Sequence, residues 1–281
     1  MTRPSATDKR RTFRELHRSG CFVIPNPWNV GTALCLQDLG FKALATTSSG
    51  FAHAQGYADG AVPRDMVLAH LREIAAATDV PVNADFEGGY ADEPEGVAES
   101  VRLAVETGVA GLSIEDSTAD DKNPLYDFEL AVARVRAARA AIDKAGGDVV
   151  FTARSEGFIR GRPDLDETIR RLKAFSQAGA DCLYAPGIKT REQIAAVVQA
   201  VAPKPVNFLM ATATNFSVSD LAVLGVRRIS TGGTLARVAW TAFMHSAREM
   251  TEQGRFESFN GVMPNAELNA LFGADRARRS A

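Results

Sequence analysis

The sequence predicts an α/β chain of the (β/α)8 TIM-barrel class, and three observations carry that expectation. Short apolar runs of β type alternate with longer amphipathic segments, no linker-like or low-complexity stretch interrupts the middle of the chain, and the apolar runs number eight. A near-continuous apolar strand is buried on both faces, which a parallel sheet covered by helices provides and an antiparallel sheet seldom does. Eight β/α units point to a closed barrel, with an open doubly wound sheet as the alternative. A barrel of roughly 250 residues as a single domain fits the 281 residues present.

In chain order, "DKRRTFRELHRSG" predicts a short helix over the barrel's base. The strands follow as "CFVIPN" from Cys21, "KALATTS" from Lys42, "PVNADFE" from Pro81, "AGLSIED" from Ala110, "DVVFTAR" from Asp148, "DCLYAP" from Asp181, "KPVNFLM" from Lys204 and "RRISTGG" from Arg227. Between them, "EGVAESVRLAVETG" and "LDETIRRLKAFSQAG" place apolar residues at threes and fours and carry a glycine near the end, a helix stop. Residues 1–253 are expected to form the barrel with its N-terminal helix. Residues 254–281 form a tail that packs on the barrel or on a neighbouring subunit, with a helix signal in "PNAELNALFG" and frayed residues from Asp275 to Ala281.

Composition limits the partners. Apolar residues make up 46% and charged residues 23%, as in a globular protein with a sizeable core, and a net charge of −2 gives no basic face for nucleic acid. Cys21, Cys35 and Cys182 are widely spaced among apolar or small neighbours and read as buried thiols in a reducing compartment. The polar N-terminus lacks a secretory core and no run approaches the roughly 18 apolar residues of a membrane span, so a cytoplasmic, membrane-free protein is expected.

In such barrels chemistry collects where the strands run out into the following loops. Those ends carry Ser48-Ser49-Gly50, Asp85 with Glu87, Glu115-Asp116, Arg154 with Glu156, Asn207 and Thr231-Gly232-Gly233. Asp85 and Glu87 have strand spacing and leave one face; with Glu115 from the next strand they would repel strongly without a counter-charge. Hard oxygen donors with no Cys or His nearby select Mg2+, or Mn2+, over Zn2+. The alternative is that these acids cap helices or join ion pairs. Arg154 would point into the same rim and suits a substrate carboxylate or phosphonate, or else forms a salt bridge to Glu115 or Asp116.

Together the motifs "ATTSSG" with "GYADG", "VNADFEGGY", "SIEDS", "TARSEGF", "PVNFL" and "LGVRRISTGG" resemble the isocitrate lyase/phosphoenolpyruvate mutase superfamily from about Phe22 to about Val238. The resemblance implies a barrel whose eighth helix is exchanged between paired subunits, in a dimer of dimers. It implies Mg2+ bound directly by Asp85 and mainly through water by Asp59, Glu87 and Glu115. It further implies an α-oxo or 2-hydroxy carboxylate held by Ser49, Gly50, Phe51 and Arg154, with Asn207 among the substrate-binding candidates. The reaction would break or rearrange a C–C or C–P bond through an enolate, consistent with the weight of fixed charge placed where charge develops.

Departures from the family pattern are informative. Glu87 stands where the family usually has Asp. The loop after the fourth strand, "STADDKNPLYD", lacks the Lys-Lys-Cys-Gly-His motif of the isocitrate and methylisocitrate lyases, which argues against a cysteine-dependent lyase. Lys122-Asn123 instead resembles the gating-loop pair of phosphoenolpyruvate mutase; its alternative is a solvated turn. A Schiff-base aldolase would need a lysine projecting from a strand interior, and no predicted strand offers one. A non-catalytic carboxylate-binding or assembly barrel is the other alternative, supported by the missing Cys.

Overall fold

The computed structural model describes residues 3–280, and all eight strands form within their predicted runs. They are β1 (Phe22–Ile24), β2 (Leu44–Ala45), β3 (Val82–Asp85), β4 (Gly111–Glu115), β5 (Val150–Arg154), β6 (Cys182–Tyr184), β7 (Val206–Leu209) and β8 (Arg228–Ser230). All are parallel, in the order β1-β8-β7-β6-β5-β4-β3-β2, so the first strand pairs with the last and the sheet curls into a nearly closed barrel.

The seam lies between β1 and β2. There the Ala45 N–H donates to the Pro25 carbonyl at 3.1 Å, and the side-chain amide of Asn26 donates to the Thr46 carbonyl at 2.8 Å. The Asn26 Oδ1 accepts from the Thr231 and Gly232 N–H groups, both at 2.9 Å. One buried asparagine therefore ties the ends of β1, β2 and β8 together, satisfying backbone groups that would otherwise be buried unpaired.

Helices α1 (Ala6–Leu16), α2 (Val30–Asp38), α3 (Ser48–Ala54), α4 (Arg64–Ala77), α5 (Pro94–Glu106), α6 (Phe128–Lys144), α7 (Leu165–Gln177), α8 (Arg191–Val201), α9 (Val218–Val223), α10 (Thr234–Gln253) and α11 (Asn265–Ser280) complete the chain. Their starts follow capping chemistry: Ser5 and Asp8 bond reciprocally at α1, and Asp164 accepts from the Glu167 N–H at α7. The expected glycine stops are Gly108 and Gly179, at φ +88° and +109° in the left-handed region that glycine enters without a Cβ clash. Apolar faces of the helices and sheet meet in a core that includes Val101, Leu112, Phe151 and Leu183, all with no exposed surface.

The predicted N-terminal helix plugs the base. Phe13 of α1 is fully buried against Ile24, Ala45, Ala110 and Val150. Gly111 makes room for it, since a Cβ there would lie 2.5 Å from the Phe13 ring.

Two features differ from expectation. The tail helix α11 continues through Ser280 with Asp275 buried, where fraying from Asp275 was expected, and only Ala281 lies outside the described residues. The "PNAELNALFG" stretch packs on α2, with the Phe272 ring 3.8 Å from the position a Gly31 Cβ would occupy, and the helix runs on past it. The eighth barrel helix, α10, leaves Val238, Phe243 and Met244 at 61%, 59% and 40% exposure, an apolar face unusual for a barrel's outer ring.

Candidate active site

β3, β4 and β5 end side by side, and the pleat turns Asp85, Glu115 and Arg154 to the same rim. The Arg154 guanidinium is fully engaged there. Nη1 donates to Asp85 Oδ1 at 2.7 Å, Nη2 lies 3.1 Å from Glu115 Oε2, and Nε donates to Glu156 Oε1 at 2.8 Å. Its carbon sits 5.0 Å from the centre of the Tyr184 ring, a cation–π distance. The salt-bridge alternative for Arg154 therefore holds for Glu115 but not for Asp116, which instead pairs with Arg171 at 3.1 Å. Asp116 also accepts the Glu156 N–H at 2.8 Å, so it props Glu156 from behind.

Asp85 has a second set of donors. The N–H and hydroxyl of Ser48, at the start of α3, reach its Oδ2 at 2.9 and 3.0 Å. Beside it a cavity of about 620 Å3 is lined by Ser48, Asp59, Glu87, Glu115, Arg154 and Glu156, among others. Five acids thus gather around one arginine.

The imbalance shows in their protonation. Burial, then the Asp85 charge, pushes Asp59 above its ordinary range. The same two causes push Glu87 up to about 7, against a hydrogen bond from the Tyr90 hydroxyl at 3.0 Å that favours its charged form. Burial also raises Glu115 and Glu156, with Arg154 opposing in both. Arg154 is itself held more firmly protonated, because the attraction of Glu115, Glu156 and Asp85 outweighs its burial.

Glu87 stands on strained backbone. Its φ is +46° and that of Tyr90 is +56°, values L-residues adopt only at a cost of about 1–3 kcal/mol. Arg134 of α6, 1% exposed, holds this turn: its guanidinium donates to the carbonyls of Gly88, Ala91 and Asp92 and lies 3.9 Å from the Tyr126 ring centre. The Glu115 N–H adds a bond to the Glu87 carbonyl at 3.0 Å.

The other predicted residues lie elsewhere. Ser49 Oγ is 3.2 Å from Thr47 Oγ1, the Gly50 N–H donates to that Thr47 oxygen at 3.3 Å, and Phe51 is buried in a stack on His70 with ring centres 3.8 Å apart. Their neighbour Ser48 faces the cavity instead. Asn207 is wholly buried in the barrel, accepting from Arg228 Nε at 2.8 Å and donating to Ser230 at 2.9 Å. Lys122 and Asn123 are exposed: Asp120 accepts the Lys122 N–H at 2.8 Å and the Asn123 side-chain amide at 3.0 Å. They line a neighbouring cavity of about 1100 Å3. The turn alternative describes this local geometry.

Glu156 is the residue whose importance the sequence understates. Its signal was its place two residues after Arg154, which keeps both on the rim.

The donor set fits a hard divalent cation. All its groups are oxygens, and burial first, then neighbouring carboxylates, raises the protonation of Asp59, Glu87 and Glu115, so the charged forms of these acids lack sufficient stabilisation. Among the described residues no three acid, His or Cys side chains already converge closely enough to ligate one ion directly. Asp85 accepts from the Arg154 guanidinium on Oδ1 and from Ser48 on Oδ2, so both of its oxygens already have protein donors.

The phosphoenolpyruvate phosphomutase family model matches residues 13–251. A curated relative, oxaloacetate decarboxylase of Paraburkholderia xenovorans, is 30% identical over 265 residues, covering 88% of this chain and 83% of that protein. A solved structure from Burkholderia cenocepacia, provisionally assigned as a lyase/mutase, superposes with a TM-score of 0.91 at 45% identity, covering 95% and 96% of the two chains. That of phosphonopyruvate hydrolase with oxalate and Mg2+ gives 0.84 at 25% identity, covering 96% and 97%.

Proposed function

Because this chain belongs to the phosphoenolpyruvate phosphomutase family, a group of lyases and mutases that act on oxo acids, we propose that it is a Mg2+-dependent enzyme that cleaves or rearranges a C–C or C–P bond of a small α-oxo or 2-hydroxy carboxylate through an enolate. The single observation that carries the reading is the cluster of Asp59, Asp85, Glu87, Glu115 and Glu156 around Arg154 at the mouth of the barrel. The Mg2+ in the phosphonopyruvate hydrolase complex supports the choice of ion. Mn2+ would satisfy the same oxygen donors.

Asp85 would hold the ion directly, and Asp59, Glu87 and Glu115 would hold it through water. When bound, the ion polarises the oxo group as a Lewis acid and stabilises the negative charge that builds on that oxygen. With an ion bound, Asp85 would share its Oδ1 less with Arg154, whose Nη1 could then hold the substrate carboxylate while Glu156 keeps Nε in place and so fixes the plane of the guanidinium. Ser48 steadies Asp85 from the opposite side. Ser49 to Phe51 and Asn207 serve the substrate only if the start of α3 and the Asn207–Arg228 pair rearrange. Lys122 and Asn123 reach it by closure of the β4–α6 loop. That loop carries neither Cys nor His, which separates this chain from the cysteine-dependent lyases.

The protein works as a homo-oligomer in which α10 is exchanged between copies. Its apolar face, exposed on a single chain, supports this. Residues 1–253 constitute the catalytic barrel and 254–281 an accessory tail.

The test is pyruvate release from purified protein with Mg2+ and oxaloacetate, phosphonopyruvate, 2-methylisocitrate or dimethylmalate, with Asp85→Ala as control. Release that depends on Asp85 from at least one of these is the expected result. Equal release by wild type and variant removes the metal-site reading, and no pyruvate from any substrate together with no isomerisation of phosphonopyruvate by phosphorus NMR favours a carboxylate-binding barrel without turnover.

A further inference from the structure

The 620 Å3 cavity is lined by two cations, Arg154 and Arg160. They are spent very differently. All three donor positions of Arg154 are engaged by carboxylates that are themselves nearly buried. Arg160 gives one nitrogen, Nη2, to the Thr118 carbonyl and to Asp121, both at 3.2 Å. Asp121 has 95% of its side chain in solvent, so that pair contributes little and is readily exchanged. The Arg160 Nε is buried without a hydrogen-bond partner, a donor that costs free energy while it stays unmet.

Position adds to this. Arg160 follows Arg154 on the same β5–α7 segment and reaches the cavity beside Ile159, while its bond to Thr118 brings the β4–α6 loop against the same wall. An α-oxo acid seated at Arg154 and Asp85 would share its cavity with Arg160. Every other charged group lining the cavity is an acid, so a second negative group on the ligand has one cation to meet.

We propose that Arg160 is the specificity-determining residue that binds a second oxyanionic group, a carboxylate or phosphonate at the far end of the substrate, so that the preferred ligand is a dianion rather than a simple monocarboxylate. The inference rests on the function proposed above. A planar guanidinium binds either group through paired N–H donors, and the exposed Asp121 is the carboxylate such a ligand displaces.

The experiment is calorimetric titration of the full-length protein in saturating Mg2+ with two unreactive probes: oxalate, which presents only the chelating end, and 3,3-difluorooxaloacetate, which adds a far carboxylate. Arg160→Gln should weaken the second by about tenfold to a hundredfold and leave oxalate within about twofold, with Arg160→Lys between wild type and Gln. Retained oxalate binding also shows that the variant is folded. Equal loss of both probes, or loss of neither, overturns the role of Arg160 alone. Wild type binding neither probe overturns the site itself and this inference with it. Turnover of phosphonopyruvate faster than of oxaloacetate, with the loss on Arg160→Gln confined to it, identifies the far group as phosphonate; the reverse preference identifies carboxylate.

Discussion

Arg154 Nη1 lies 2.7 Å from Asp85 Oδ1, so the acid that the family resemblance assigns to a metal ion is held in this structure by a cation of the protein itself. On the function proposed above, the ion and the guanidinium would compete for one carboxylate. Removing the guanidinium should thus harm turnover and stability together. Arg154→Met is expected to lose at least about a hundredfold in kcat and to destabilise the metal-free protein by about 3–5 kcal/mol, because buried acids lose their counter-charge. Mg2+ should restore part of the thermal stability but none of the rate, measured by thermal melts and pyruvate release. Lys should not rescue, since one ammonium does not span three carboxylates.

Glu87 gives a pH dependence with a defined sign. Its pKa rises from 4.5 unfolded to about 7 folded, so below 4.5 both states hold the proton, and between the two values only the folded state does. The folded protein binds more protons there, and stability falls as pH rises through about 7. Glu87→Gln should therefore stabilise the metal-free protein by roughly 2–3 kcal/mol at pH 8 and change little at pH 4, read by urea denaturation at the two values.

Arg134 is expected to act on the site without touching it. Arg134→Met leaves three carbonyls of the Gly88–Asp92 turn unpaired and frees Glu87 from its left-handed backbone. A loss of about 2–4 kcal/mol in stability follows from unmet buried acceptors. Mg2+ affinity, followed by calorimetry, should fall by about tenfold or more at a temperature where the variant is fully folded.

At the base, Gly111→Ala would drive a methyl group to 2.5 Å from the Phe13 ring and 3.0 Å from the Val150 carbonyl. Overpacking of this kind costs about 1–3 kcal/mol. Phe13→Leu in the same chain should recover part of that loss, and a double-mutant cycle measures the coupling.

Phe243→Asp places a charge on the apolar face of α10. Light scattering should show a smaller assembly than wild type at equal concentration; an unchanged mass would count against exchange of this helix between copies.

The strands and the charged rim were legible because both depend on local period. A pleat fixes which alternate side chains share a face, so Asp85, Glu115 and Arg154 follow once β3, β4 and β5 are placed. Asn207 obeys the same period yet is drawn into the barrel, because Arg228 on the neighbouring strand claims its oxygen, and a cross-strand claim leaves no mark on either run. Lys122 and Asn123 sit in a loop whose path is set by Asp120 and Arg160 rather than by any repeat. The length of α11 was hidden because its last turns, after Gly273, carry no apolar period in the sequence.

One backbone hydrogen bond and the Asn26 amide close the barrel where every other neighbouring pair of strands has a ladder. Such a wall has a zip, and its teeth lie just ahead of the Ser48 turn that steadies Asp85. On warming, the zip is expected to part before the seven ladders, and the mouth to lose its shape with it. Heat should silence the protein some degrees before it melts.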